Sequence, residues 1–274
     1  MTSDLIIAFK TFCDTLPKEK SDKCVLLMHT QPQDQAGTNL PYLVNKLCPN
    51  YKVLFSHQKL DAKYLNYLYN IADVTANIAS NEGFGLGTAE SLMAGTPIIV
   101  SVTGGLQDQC GFKKIVVKDS TEEEQKDPKY LNWEYKYLTE KDYTTEWGSN
   151  HTGRYKEHGE WVKPVWPKTR SLQGSIPTPY IFDDRVDFED VADKIKEWYD
   201  TSKDERERCG ELGMEFMKTP GLGLTAKEMC NFFIRDIENT FKNWKPRKRY
   251  SLYNVTTYKR KLPKHSGILL RGKE

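Results

Sequence analysis

The stretch ASNEGFGLGTAESLMAGTPIIVSVTGG, Ala79 to Gly105, decides the fold. A strand ending near Ala79 delivers a glycine-rich turn, and a helix starts near Gly85. Pro97 then opens the β-branched strand IIVSV, which ends on Gly104 and Gly105. Strand, turn, helix and strand in that order make one unit of a parallel sheet. Gly83, Gly85 and Gly87 allow positive φ and close approach of a ligand to the backbone. The helix start presents free N–H groups and the positive end of the helix dipole. That is an anion site, and a diphosphate fits it. Glu82 precedes the helix and Glu90 lies in its early turns, so both carboxylates can reach the same mouth. Vicinal hydroxyls, such as those of a sugar or a ribose, are suitable partners for them.

The same alternation runs outward in both directions over residues 1–118. Helical spacing covers Leu5 to Leu16, where Leu5, Ile6, Phe9, Phe12 and Cys13 recur on one face. CVLLMH, Cys24 to His29, is a short apolar run of the buried parallel type. A helix over Leu40 to Leu47 and a strand over Tyr51 to Ser56 follow. Asp61 is placed to cap a helix running through Ile71. DVTANIA, Asp73 to Ala79, is the strand entering the motif, and KIVVK, Lys114 to Lys118, is a further short strand. The expected fold is α/β, a Rossmann-like doubly wound parallel sheet.

Residues 119–179 break the pattern. Trp133, Tyr135, Tyr137, Tyr143, Trp147, Tyr155, Trp161 and Trp166 interleave with charge, Gly and Pro without a clean period. This reads as a large irregular insertion. Residues 180–241 close the same domain with a return strand at Tyr180 to Phe182 and helices over Phe188–Tyr199, Lys203–Met217 and Thr225–Phe241. Residues 242–274 form a basic tail.

Composition excludes several classes. The 274 residues are 38% hydrophobic and 28% charged, which suits a folded chain with a wet surface. A net charge of +2 gives no global field for nucleic acid or membrane. No apolar run approaches the roughly 18 residues of a membrane span. The opening MTSDLIIAFKTF has no basic stretch ahead of its apolar residues and does not read as a signal peptide. Six scattered cysteines without a C-x-x-C pair read as reduced thiols, hence a cytoplasmic protein.

Other readings of the motif compete. A plain surface helix N-terminus would also carry glutamates. A dinucleotide fingerprint would begin at Gly85-Leu86-Gly87, but Glu90 occupies its third glycine and no acid ends IIVSVTGG to hold a ribose.

Glu82, Gly83, Phe84, Gly85, Glu90, Gly95, Pro97, Ser101, Gly104 and Gly105 together resemble the E-x7-E segment of retaining glycosyltransferases of the GT-B type. YLYNIADV before the motif and PYIFDDRVDFEDVADKIKEWY after the insertion are similar to that family as well, so the resemblance covers about two thirds of the chain. It implies the nucleotide-binding C-terminal half of a two-domain enzyme, using a nucleotide-sugar donor (UDP- or GDP-sugar), an unknown acceptor and no metal or other cofactor. Glu82 is then the catalytic-centre carboxylate on the donor sugar. Phe84 and Gly85 offer backbone N–H groups, Leu86, Gly87 and Thr88 hold the diphosphate, and Glu90 holds the ribose. Phe55, Ser56 and His57 match the base-binding segment. His29, Gly104, Gly105 and Asp108 are further candidates. The family's first strand, with its Gly-Arg and Lys, and the acceptor domain are not found ahead of Met1. They are expected in cis or on a separate chain, with a central gap in a sheet ordered 3-2-1-4-5-6.

Four features lie outside that reading. His151 and His158 lack the further ligands a metal needs, and Asn150-His151-Thr152 is a sequon that a cytoplasmic chain does not use. The aromatic stretch Trp133 to Trp166 is either a sugar-stacking platform or packing, and packing is favoured. The tail KNWKPRKRYSLYNVTTYKRKLPKH has a composition that binds nucleic acid or anionic lipid. A solvated tail that would cross to the missing domain is favoured, and no nucleic-acid partner is expected.

Overall fold

A computed structural model describes residues 1–34, 37–117, 133–137, 157–174 and 180–246. The chain divides into two compact units, Met1–Cys230 and Asn231–Glu274.

The first unit is α/β with parallel strand pairing, as expected. Its elements run α1 (Thr2–Asp14), α2 (Lys18–Ser21), β1 (Val25–His29), α3 (Leu40–Leu47), β2 (Lys52–Ser56), α4 (Ala62–Ile71), β3 (Thr75–Asn77), α5 (Leu86–Met93) and β4 (Ile98–Ser101). A 3-10 turn over Gly104–Cys110 leads to β5 (Lys113–Val117), and then β6 (Trp133–Tyr137), β7 (Val162–Val165), β8 (Thr169–Gln173) and β9 (Ile181–Arg185). Helices α6 (Phe188–Asp200), α7 (Lys203–Met217) and α8 (Ala226–Asn243) complete the described chain. Side chains cap the helices where the sequence offers them. Asn39, Asp61 and Ser202 accept from Tyr42, Tyr64 and Glu205 amides, and Asp187 accepts from Glu189.

The parallel strands form two sheets. β1 pairs with β2, and β3, β4 and β7 pair in that order. Among the described residues β1 and β3 therefore each keep one edge without a ladder. Between these two edges the ladder is broken. Helix α1 spans the break. It gives Ile6, Phe9 and Phe12 to the core under β1 and β2, and Ala8 to the core under β3 and β4. Helix α6 does the same with Ala192 on one side and Val191 and Trp198 on the other. The opposite face of β1 and β2 is open, with Val25, Leu27 and Leu54 exposed by 48%, 38% and 54%. Helix α4, amphipathic in sequence, buries none of its residues.

The stretch 119–179 departs from the expected irregular insertion. Val162–Val165 is a core strand with parallel partners Ile98 to Ser101. Trp133–Tyr137 pairs antiparallel with β5, and Thr169–Gln173 pairs antiparallel with β9. The return strand runs Ile181–Arg185 and so joins a hairpin-like pair, not the parallel sheet. Trp161 is buried against Phe216, with ring centroids 4.5 Å apart, and Trp166 packs on Phe112. For these two tryptophans packing is the role. Tyr143, Trp147 and Tyr155 lie outside the described residues.

Candidate functional site

The turn between β3 and α5 is built by the glycines around it. Gly85 is the N-cap of α5 and is left-handed, with φ 87° and ψ 62°. A Cβ there would also meet Leu106 Cδ2 at 2.4 Å. Only glycine meets both demands. No side chain caps α5, so the first-turn amides of this helix are not consumed by a capping residue. Thr88 is fully buried and donates its hydroxyl to the Gly85 carbonyl at 3.0 Å. Its hydroxyl is therefore committed to the turn itself. Leu86 and Gly87 are exposed at the helix start, and Gly83 has open space where a Cβ would stand.

Gly104 and Gly105 hold the turn from behind. A Cβ on Gly104 would lie 2.2 Å from the Glu82 carbonyl oxygen, and one on Gly105 would lie 2.2 Å from that of Gly83. The Gly105 amide donates to the Glu82 carbonyl at 2.9 Å. These two glycines let the β4 end lie flat on the backbone of Glu82 to Phe84. Ser101 adds a bond from its hydroxyl to the Ala79 carbonyl at 2.6 Å.

Several supporting residues were not visible in sequence. Gln109 is fully buried, and its Nε2 donates to the carbonyls of Phe84 at 2.5 Å and Gly85 at 3.0 Å. Thr103 donates to Asp184 Oδ2 at 3.0 Å, and the Asp184 amide donates to the Ser80 carbonyl at 3.0 Å. These bonds join segments far apart in sequence, and no local pattern marks such pairs. Tyr69 on α4 donates to Glu90 Oε2 at 2.8 Å. Burial, and then this bond to the carboxylate, push the Tyr69 phenol well above the ordinary tyrosine range. The hydroxyl therefore stays a donor at neutral pH.

Glu82 is half-buried before the helix, and Glu90 is exposed on its second turn. The two carboxylates lie either side of the α5 N-terminus in sequence. The other candidates sit at the end of β1 and β2. His29 Nδ1 lies 3.0 Å from Ser56 Oγ, and His57 is exposed just beyond. Phe55 packs in the core under β2, so only its backbone faces the strand end. Among the described residues no hydrogen bond or ion pair links His29 or Ser56 to Glu82 or Glu90. Asp108 is half-buried in the 3-10 turn.

Of the two histidines weighed against a metal site, His158 bonds through Nδ1 to the Gly159 carbonyl at 2.7 Å, and burial lowers its pKa. His151 and the sequon at Asn150 lie outside the described residues. Among the described residues Glu160, Glu205 and Cys209 converge closely enough for a metal ion. Arg208 already bridges Glu205 and Glu160, which accounts for the cluster.

Residues 12–128 match the family model described as glycosyl transferases group 1. The matched span contains the whole Ala79–Gly105 stretch together with His29, Phe55, Ser56, His57 and Asp108. Among solved structures the chain is similar to an alpha,alpha-trehalose-phosphate synthase (UDP-forming) from Burkholderia vietnamiensis, at 10% identity and a TM-score of 0.48. That likeness covers 88% of this chain and 42% of the other. No curated protein matches the sequence. Among the described residues no helix is long and apolar enough to cross a membrane.

Proposed function

We propose that Met1–Cys230 is the donor-binding part of a retaining, metal-independent GT-B glycosyltransferase, acting in the cytoplasm on a UDP- or GDP-sugar. The observation that carries this reading is the pair Glu82 and Glu90 flanking an α5 N-terminus that lacks a side-chain cap. In this reading the first-turn amides of α5 take the diphosphate, Glu90 takes the ribose hydroxyls and Glu82 takes the donor sugar. The sugar C1–O bond to phosphate breaks while a C1–O bond to the acceptor forms on the same face. The acceptor proton passes to the leaving phosphate oxygen, and the helix dipole stabilises the charge that develops there. Glu82 is the residue that touches the reacting sugar, and Tyr69 positions Glu90.

The chain spans under half the length of the structure it resembles. A second reading is a sugar-nucleotide-binding module that turns over only with an acceptor domain supplied in cis or on another chain. Release of sugar or nucleoside diphosphate from UDP- and GDP-sugars, measured with the chain alone and with a candidate acceptor half added, tests both. Turnover supports the enzyme reading. Saturable donor binding without turnover in either mixture supports the module. Neither turnover nor donor binding would overturn both.

A further inference from the structure

Helix α8 carries an apolar stripe that no described residue of the second unit covers. Met229, Phe233, Ile234, Ile237, Phe241 and Trp244 are all exposed, Phe241 by 82% and Phe233 by 68%. At about 100° per residue they fall within an arc of roughly 140°. Phe233, Ile237 and Phe241 line a shallow open groove with Asp236 and Thr240. The opposite side is polar and close to neutral, with Lys227, Glu228, Arg235, Glu238 and Lys242. Phe232 on that side is covered by the Arg235 guanidinium, 4.5 Å from its ring centroid.

The sequence that follows supplies charge. Residues 242–274 hold 11 of the chain's 40 Lys and Arg residues and one of its 38 acids. The rest of the chain is therefore net acidic. An apolar helix face and a polybasic segment in direct succession are the two signals that together give stable attachment to a lipid surface. A nucleic acid would answer the charge and leave the stripe of Phe233, Phe241 and Trp244 in water. A second copy would answer the stripe and bring the two basic tails together. An anionic bilayer surface answers both.

We propose that α8 and the tail behind it dock on an anionic lipid surface, the helix lying in the interface with Phe233, Ile237, Phe241 and Trp244 among the headgroups. The docking involves no membrane span and no covalent step.

The test uses the full chain with vesicles of phosphatidylcholine alone and with about 30 mol % phosphatidylserine. Co-sedimentation is expected with the anionic vesicles only, falling as salt rises. The triple variant Phe233→Ser, Phe241→Ser, Trp244→Ser should lose at least about tenfold in partitioning, with its circular dichroism unchanged. In the wild-type chain tryptophan emission should shift blue on anionic vesicles, and Trp244→Phe should remove that shift, which needs no triple variant to fold. Failure to bind either vesicle overturns the proposal. So does a triple variant that binds as well as wild type, since the tail alone would then suffice. A dimer in analytical ultracentrifugation that the triple variant abolishes would assign the stripe to a second copy. Tighter binding to duplex RNA than to vesicles, unchanged in the triple variant, would assign the tail to nucleic acid.

Discussion

The Tyr69 hydroxyl donates to Glu90 Oε2 at 2.8 Å, so the helix before β3 holds a carboxylate on the helix after it. A second bond, from Thr96 Oγ1 to the Tyr69 carbonyl at 2.8 Å, fixes Tyr69 against the end of the α5–β4 turn. Tyr69→Phe removes one neutral-to-charged hydrogen bond and leaves the ring in place. Because Tyr69 orients Glu90 and does not itself touch the ligand, nucleoside diphosphate binding should weaken roughly three- to tenfold, about 0.7–1.4 kcal/mol. Calorimetric titration of the variant checks this, and selectivity among sugars should not change.

Gly104→Ala and Gly105→Ala should each damage the turn from behind. The new methyl would meet a backbone carbonyl oxygen at 2.2 Å in either case, and backbone cannot step aside as a flexible side chain can. Overpacking of this kind costs about 1–3 kcal/mol, and Gly104 adds the strain of a positive φ. Urea denaturation should show lower midpoints for both variants. Wild-type midpoints would mean that the β4 end moves freely away from Glu82.

Thiol chemistry offers a check on packing. Burial pushes the Cys13 thiol up to about 12 and raises Cys24, Cys48, Cys110 and Cys209 as well. A raised thiol pKa means that little thiolate is present at pH 8, and the thiolate is the reactive form. Cys230 alone is exposed. Native chain should therefore show one fast-reacting thiol with a disulfide reagent at pH 8, and Cys230→Ser should abolish it. Fast reaction at a second site would show that one of the cores opens easily.

The two sheets should differ in stability. β1 and β2 form a two-stranded ladder with one apolar face open, whereas β4 is paired on both sides and fully buried. Two-stranded ladders are marginal without cover. Amides of β1 and β2 should exchange with solvent at least about tenfold faster than those of β4. Equal protection would show that something pairs with the open edges.

The fold was legible where side-chain period and burial agree. Leu5 to Cys13, VLLMH, the Asp61 cap and IIVS all carried their structure in local pattern. Val162–Val165 did not. Its sequence, VKPV, holds a lysine and a proline, and proline argues against a central strand. β7 is an edge strand, however. Trp161 and Val165 turn their carbonyls to β4, so by alternation the Pro164 nitrogen faces the free edge. The site was legible to the same degree. The glycines and both glutamates announce a helix N-terminus with two acids. Gln109, Asp184 and Tyr69 become partners of that turn only when the chain folds, because each reaches it from a different element.

Separate roles for the two carboxylates are most directly tested by titrating Glu82→Ala and Glu90→Ala with the nucleoside diphosphate alone and with the intact nucleotide-sugar. A hydrogen bond to a charged partner is worth about 1.5–3 kcal/mol, roughly ten- to a hundredfold in affinity. Glu90→Ala should weaken both ligands by that much, since both carry the ribose. Glu82→Ala should leave the diphosphate nearly untouched and weaken the nucleotide-sugar, or its turnover where an acceptor half is present. Equal losses for both ligands in both variants would contradict the assignment of Glu90 to the ribose and Glu82 to the sugar.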